Sequence, residues 1–276
     1  MTKLADSTVL VTGAASGIGR LMALGAAARG ARVVAWDIDG EALAALAEAH
    51  PSQIEPFVVD VTDRQAVYAT ARQVEAGVGP VDVLILNAGV VSGGRLLEVP
   101  DEAVERVMAV NTMALFWCAK AFLPGMVERD AGHVVTVASI AALTPFPGMV
   151  DYVASKHAAY GFAEALRTEL ADDAPGIRTT VVLPQVIDTG MFAGVTTPRL
   201  FPPLRPESVA DAVLAAVEAN RQRLLCNRPA LVTALLIRPL PPRVSDAVIR
   251  LTGAFDSMRH FSGRSVRRIE EPVLDE

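Results

Sequence analysis

Lysine is almost missing from this 276-residue sequence. Lys3, Lys120 and Lys156 are the only three, and arginine carries the rest of the positive charge. A lysine at 156 in such a chain asks for a chemical reason. Cysteine is scarce too. Cys118 and Cys226 sit in apolar contexts without metal-ligand spacing, so no disulfide framework is visible and both read as buried free thiols. The four histidines, His50, His133, His157 and His260, fit no metal spacing and read as structural or surface residues; no metal is expected. No apolar stretch approaches the ~20 uninterrupted residues that a membrane span needs. The N-terminal "MTKLADSTVLVTG" shows no signal-peptide core before its first strand-like run. The formal net charge of -6 argues against a general nucleic-acid partner. The expectation is a soluble, cytoplasmic protein of a reducing compartment, touching at most a membrane surface.

Apolar residues are not scarce. At 51% hydrophobic and 20% charged, the chain can bury a core and is not disordered. Valine-, leucine- and isoleucine-rich runs at 7–13, 32–37, 54–60, 81–87, 133–139 and 177–184 read as strands covered on both faces. Helical candidates fall at 17–29, 40–49, 63–77, 101–129, 150–171 and 206–219. This alternation predicts an α/β fold with a parallel, doubly wound sheet and right-handed crossovers. No repeat or linker divides residues 1–276, so one domain is the simplest account. The end differs. Residues 221–268 hold ten arginines and two acids, which makes the segment +8 and the remainder -14. Residues 221–276 read as a helical extension, not a continuation of the sheet.

The first strand runs into "TGAASGIG" (12–19), with glycines at 13, 17 and 19. A glycine-rich turn between strand and helix brings backbone close to a pyrophosphate, and the helix N-terminus faces the anion. The spacing is not G-x-G-x-x-G. Asp37 ends the second strand. An acid there can accept from both adenosine ribose hydroxyls and repels a 2′-phosphate, which favours NAD over NADP. Asp39 is the better cap for the next helix. Asp60 can cap the following helix or reach the adenine edge.

Further along, "NAG" (87–89) closes the fourth strand, Asn111 falls inside a long helix, and Ser139 ends the fifth strand. Tyr152 and Lys156 lie four residues apart, on one face of a helix. Strand carboxyl ends line one crevice in such a sheet, so Ser139, Tyr152 and Lys156 should converge beside the glycine-rich turn. The set suits hydride transfer between an alcohol and nicotinamide. Oxidising a carbinol requires loss of its hydroxyl proton. A free tyrosine titrates near ~10, and a nearby ammonium is expected to lower that value. Ser139 would bond the substrate oxygen, and Asn111 could hold a water linking Lys156 to solvent.

Together "TGAASGIG", Asp37, Asp60, "NAG", Asn111, Ser139 and "YVASK" resemble the short-chain dehydrogenase/reductase family over roughly residues 5–220. The resemblance implies a single Rossmann-type domain with seven parallel strands, usually oligomeric, here a homo-oligomer. It implies Asn111, Ser139, Tyr152 and Lys156 as the catalytic set. It implies cofactor contacts at Gly13, Ser16, Gly17, Ile18, Gly19, Asp37, Asp60, Val61, Asn87, Ala88, Gly89, Tyr152, Lys156, Pro184, Val186, Ile187 and Thr189.

Two positions depart from the family. Leu86 stands where a second asparagine is usual. In "PQVIDTGM", Gln185 replaces glycine and puts a polar side chain near the nicotinamide, where it would contact substrate or restrict its size. Gln185, Met191 and Phe192 are therefore expected to line the substrate site. The loop at 190–206 would be its lid, with Phe192, Leu200 and Phe201 as an apolar inner face. The tail, "RPESVADAVLAAVEANRQRLL" to "FDSMRHFSGR", resembles the branch with retinol and hydroxysteroid dehydrogenases. That implies a lipophilic secondary or allylic alcohol or its carbonyl as substrate, and with Asp37 the reading is an NAD-dependent oxidoreductase acting on it. The alternatives are an NADP-preferring carbonyl reductase and a non-catalytic NAD-binding regulator, against which the intact Ser139, Tyr152 and Lys156 speak. The basic tail reads as a subunit-interface and lid-support element, with weak docking on anionic membrane as the alternative.

Overall fold

The valine-rich runs become strands because their alternate side chains meet two different helix layers. Val9, Val11, Val33 and Ala35 point into one apolar cluster, with Met22, Val213 and Leu214. Leu10, Val34 and Trp36 point into the other, with Phe122, Met126 and Leu170. The computed structural model describes residues 1–144, 146–197, 202–227, 236, 239–251, 257–258 and 260–263. Its strands are β1 (Thr8–Thr12), β2 (Arg32–Asp37), β3 (Ile54–Val58), β4 (Val83–Leu86), β5 (Gly132–Val137), β6 (Ile177–Leu183) and β7 (Arg223–Leu225). The helices are α1 (Gly17–Ala28), α2 (Gly40–Ala49), α3 (Arg64–Gly77), α4 (Asp101–Met108), α5 (Ala114–Glu128), α6 (Val150–Asp173), α7 (Pro206–Glu218) and α8 (Pro242–Leu251).

The sheet runs β3-β2-β1-β4-β5-β6-β7. Every pairing is parallel. The chain crosses from one edge back to the centre between β3 and β4, so the carboxyl ends of β1 and β4 flank the switch point where such sheets bind ligands. α1 and α7 pack together on one face, α3 and α5 on the other. The seven-stranded doubly wound fold expected from the sequence is present. One boundary moves: Arg223–Leu225 join the sheet beside β6, so it continues into the segment read as helical. The Arg223 guanidinium pairs there with Glu164. The continuous Asp101–Glu128 is apolar and long enough to cross a membrane by length and composition, yet half of its most apolar window is buried in the protein.

His133, in β5, is fully buried between two hydroxyls, Thr2 Oγ1 at 3.0 Å and Thr180 Oγ1 at 2.8 Å. Burial, helped by Arg178, pulls its pKa from 6.5 to about 4. A folded-state value below the unfolded one contributes stability that is present above pH 6.5 and is lost as pH falls through 4. The loss should total about 3 kcal/mol. The urea midpoint should therefore drop between pH 6.5 and 4, and His133→Gln should flatten that limb. Equal slopes in both proteins would remove His133 from the account.

Candidate active site

β1 ends in a turn that only glycine can make. Gly13 and Gly17 have φ of 70° and 56°, in the left-handed region. A Cβ on Gly19 would lie 1.9 Å from the Gly13 carbonyl oxygen. Backbone thus passes backbone with no room for a side chain. Ser16 is the N-cap of α1, whose first-turn N–H groups open toward the crevice. The Thr12 hydroxyl accepts from the N–H groups of Asn87 (2.9 Å) and Ala88 (3.0 Å), and Asn87 Nδ2 donates to Thr12 O at 2.9 Å. This ties the ends of β1 and β4 together. Thr12 is a positioning residue not singled out from the sequence; its place just before the turn was the available signal.

Asp37 ends β2 and faces the turn, accepting from Ala15 N (2.9 Å) and Asp39 N (3.1 Å). A carboxylate has about four acceptor sites, so capacity remains for ribose hydroxyls. Asp39 caps α2 as expected, accepting from Ala42 N. Capping of α3 falls to Asp63, which takes the N–H groups of Gln65 and Ala66. Asp60 instead closes a turn on Thr62 through N (2.9 Å) and Oγ1 (2.7 Å) and stands exposed beyond β3, next to buried Val61. The glycine turn, the helix terminus and the acid at the end of β2 fit a dinucleotide.

α4 and α5 form one continuous helix interrupted by a π-helical turn, Ala109–Met113. Such turns displace one residue from the helical register, often at functional sites. Asn111 sits in it, 1% exposed. Its Oδ1 accepts from Val90 N (2.9 Å), and its Nδ2 donates to Val90 O (2.9 Å) and Ser155 Oγ (3.0 Å). It clamps the loop that follows β4, at Val90, onto α6. Ser155 was not foreseen; it donates onward to Tyr152 O at 2.8 Å. Gly89 separates Asn111 from Lys156: a Cβ there would lie 3.5 Å from both Asn111 Oδ1 and Lys156 Nζ.

Ser139 caps a single 3₁₀ turn after β5 and accepts from Ala141 N at 3.1 Å. Its hydroxyl donates to Pro184 O at 3.4 Å and lies beside the Tyr152 phenol, whose charged form it favours. Lys156 Nζ lies 5.8 Å from the Tyr152 ring centroid and donates to Val137 O at 3.1 Å. All four expected residues therefore converge, and all are buried. The electrostatics depart from expectation. Burial pushes Tyr152 up to about 12, opposed by the Ser139 hydroxyl, and pulls Lys156 down to about 8. Both groups are out of water, and each charged form loses more solvation than its neighbour returns. The lysine alone does not acidify the phenol.

Pro184 O accepts from Ile140 N at 2.9 Å, which holds the end of β6 to the serine turn. Val186 and Ile187 run beside Leu204: Leu204 N donates to Val186 O at 2.9 Å, and Asp188 N to Leu204 O at 3.0 Å. Thr189 N turns back to Ile187 O. Gln185 donates to Pro202 O at 2.5 Å and accepts from Asn227 Nδ2 at 2.9 Å. Its amide fastens Pro202, near the far end of the 190–206 loop, to Asn227 after β7. Met191 and Phe192 are half-buried, and Phe192 packs edge-on against Tyr152, centroids 5.6 Å apart. Leu200 and Phe201 lie outside the described residues.

A family model described as short chain dehydrogenase matches residues 7–199. Retinol dehydrogenase 10-B of Danio rerio is 39% identical over 280 residues, covering 91% of this chain and 83% of its own length. The crystal structure of a short-chain dehydrogenase/reductase from Burkholderia phymatum in complex with NAD superimposes with a TM-score of 0.79 at 27% identity, covering 91% of this chain and 97% of that one. A metagenomic short-chain oxidoreductase in complex with NADP gives 0.69 at 29% identity, covering 81% and 98%. Matched along most of its length by sequence and by fold, the chain belongs to the short-chain dehydrogenase family, in the branch of the retinol dehydrogenases, and is an oxidoreductase of CH–OH groups.

Proposed function

We propose that the protein moves a hydride between NAD(H) and a lipophilic secondary or allylic alcohol or its carbonyl, retinoid-, steroid- or terpenoid-like. The observation that carries this is the meeting of two features at one ring. The Tyr152 hydroxyl lies beside Ser139, while its ring packs in one apolar cluster with Ala141, Met149 and Phe192. An alcohol held there has its oxygen between two hydroxyls and its carbon skeleton in an apolar wall. The cofactor, when bound, supplies the hydride site and, oxidised, a positive ring charge. The glycine turn and the α1 N-terminus hold its phosphates, and Asp37 its ribose.

Each residue then has a task. Ser139 fixes the substrate oxygen. Tyr152, held protonated by burial, gives its proton to a developing alkoxide in reduction and regains it in oxidation. Lys156 donates to Val137 O with one N–H and has others for a ribose hydroxyl. The relatives' names support the substrate class: Retinol dehydrogenase 10-B is one. Assembly as a homo-oligomer is part of the same reading, supported by exposed Met113 and Phe116 beside the catalytic helix layer.

The test is NADH absorbance during incubation of purified protein with NAD or NADP and a panel of retinoids, hydroxysteroids, terpene alcohols and simple secondary alcohols. Turnover with NAD on the lipophilic members is the expected result. Tight NAD binding without turnover on any member would speak for a regulator. Asp37 provides the cofactor check. Asp37→Asn removes the charge that repels a 2′-phosphate and weakens its ribose bonds. The NAD-over-NADP ratio of kcat/KM should fall by roughly tenfold or more, the effect of about one charged hydrogen bond. An unchanged ratio would remove Asp37 as the determinant.

A further inference from the structure

Three loops around the catalytic tyrosine each carry a glycine where the C-terminal segment meets them. Gly93 (φ 68°) follows β4; a Cβ there would lie 2.2 Å from the Phe261 ring. Gly148 (φ 79°) precedes α6; a Cβ there would lie 3.0 Å from Met258 Cβ. Gly194 (φ 81°) is in the lid; a Cβ there would lie 1.8 Å from His260 O. Backbone bonds complete the seating. Thr196 N donates to Ser257 O at 2.9 Å, Ser262 N to Ala193 O at 3.0 Å, and Gly94 N to Gly148 O at 2.9 Å. The first loop is itself pinned, since Ser92 Oγ donates to buried Asp151 Oδ2 at 2.5 Å. Met258 joins Val91, Phe146, Val153 and Phe192 against the small apolar cluster of Ala141, Met149 and Tyr152.

We propose that residues 257–258 and 260–263 form the outer wall of the substrate site, with Met258 setting how large an apolar alcohol it admits. The inference rests on the alcohol dehydrogenase reading above and adds a specificity residue to it. Tyr152 and Ser139 handle the oxygen and read nothing of the carbon skeleton. Phe192 covers one side of the ring. Met258 arrives from more than sixty residues later and packs against the same apolar cluster. Its unbranched thioether adapts to irregular apolar surface. The hydrogen bonds at Ala193 and Thr196 join wall and lid, so the two enclose substrate as one unit.

Met258→Ala and Met258→Phe test this, compared with wild type on straight-chain secondary alcohols graded from short to long. The long-to-short ratio of kcat/KM should rise about tenfold in Met258→Ala and fall about tenfold in Met258→Phe, within the range for small changes in an apolar pocket. NADH affinity should match wild type in both. Calorimetric binding of the matching ketones to the NADH complex should show the same reversal without turnover. Ratios unchanged in both variants overturn the wall while leaving the dehydrogenase reading standing. A wild type that neither turns over the alcohols nor binds the ketones overturns both. Binding without turnover, with the reversal present, keeps the wall and overturns only the catalytic reading.

Discussion

Replacing Tyr152 with phenylalanine should leave the fold and NADH affinity intact and cut turnover by roughly 10²–10⁴-fold, the usual range for one positioned proton-transfer group. The hydroxyl is the only atom lost. The ring keeps its edge contact with Phe192 and its apolar neighbours, so packing gives no reason for collapse. Rate and fold are therefore separable here. The pH dependence sharpens the test. With the phenol raised to about 12 by burial, it stays protonated throughout the neutral range. Alcohol oxidation needs its deprotonated form, so kcat/KM for oxidation should climb as pH rises above neutrality. Carbonyl reduction uses the protonated form and should not gain. Stopped-flow NADH fluorescence in both directions would read this. Oxidation insensitive to pH in wild type, or Tyr152→Phe retaining wild-type turnover, would take the tyrosine out of the proton path.

The position of this tyrosine was legible in the sequence, but its ionisation was not. Tyr152 and Lys156 are one helical turn apart in any α-helix, and Ser139 ends a valine-rich strand, so their convergence follows from local structure and parallel topology. How strongly burial acts on them depends on every layer above, including Phe192 and Met258, which come from distant stretches. The same distinction explains the other differences. Asn111 is a poor helix former in a helical stretch, and that signalled a special site. Nothing in a periodicity announces a π turn. The sequence showed that Gln185 departs from a family glycine, not which way its amide turns; Pro202 and Asn227 decide that. The place of β7 escaped notice because a strand of three residues, "RLL", is too short to show a pattern and is specified by its register with Val181–Leu183.

One substitution made twice should separate a glycine that sequence marks as functional from one that merely occurs. Gly19→Ala places a methyl 1.9 Å from Gly13 O and 2.5 Å from Asn87 Nδ2. Neither can retreat easily. Gly13 is in the left-handed region, and Asn87 Nδ2 is bonded to Thr12 O at 2.9 Å and Gly13 O at 3.3 Å. The turn must open, which moves the α1 N-terminus away from the phosphates and loosens the β1–β4 tie. Overpacking of this kind costs about 1–3 kcal/mol or more. NADH affinity should fall by about a hundredfold, with a lower melting temperature. Gly77→Ala adds the same methyl at the end of α3, where nothing lies within 4 Å. Alanine there reduces the freedom of the unfolded chain, for a gain of about 0.4–1 kcal/mol. Its melting temperature should rise by about 1–3 °C, with cofactor affinity unchanged. Thermal unfolding and NADH titration on the two variants side by side make the comparison. Equal, small effects would mean that the turn tolerates a side chain, and the account of the phosphate site would lose its geometric basis.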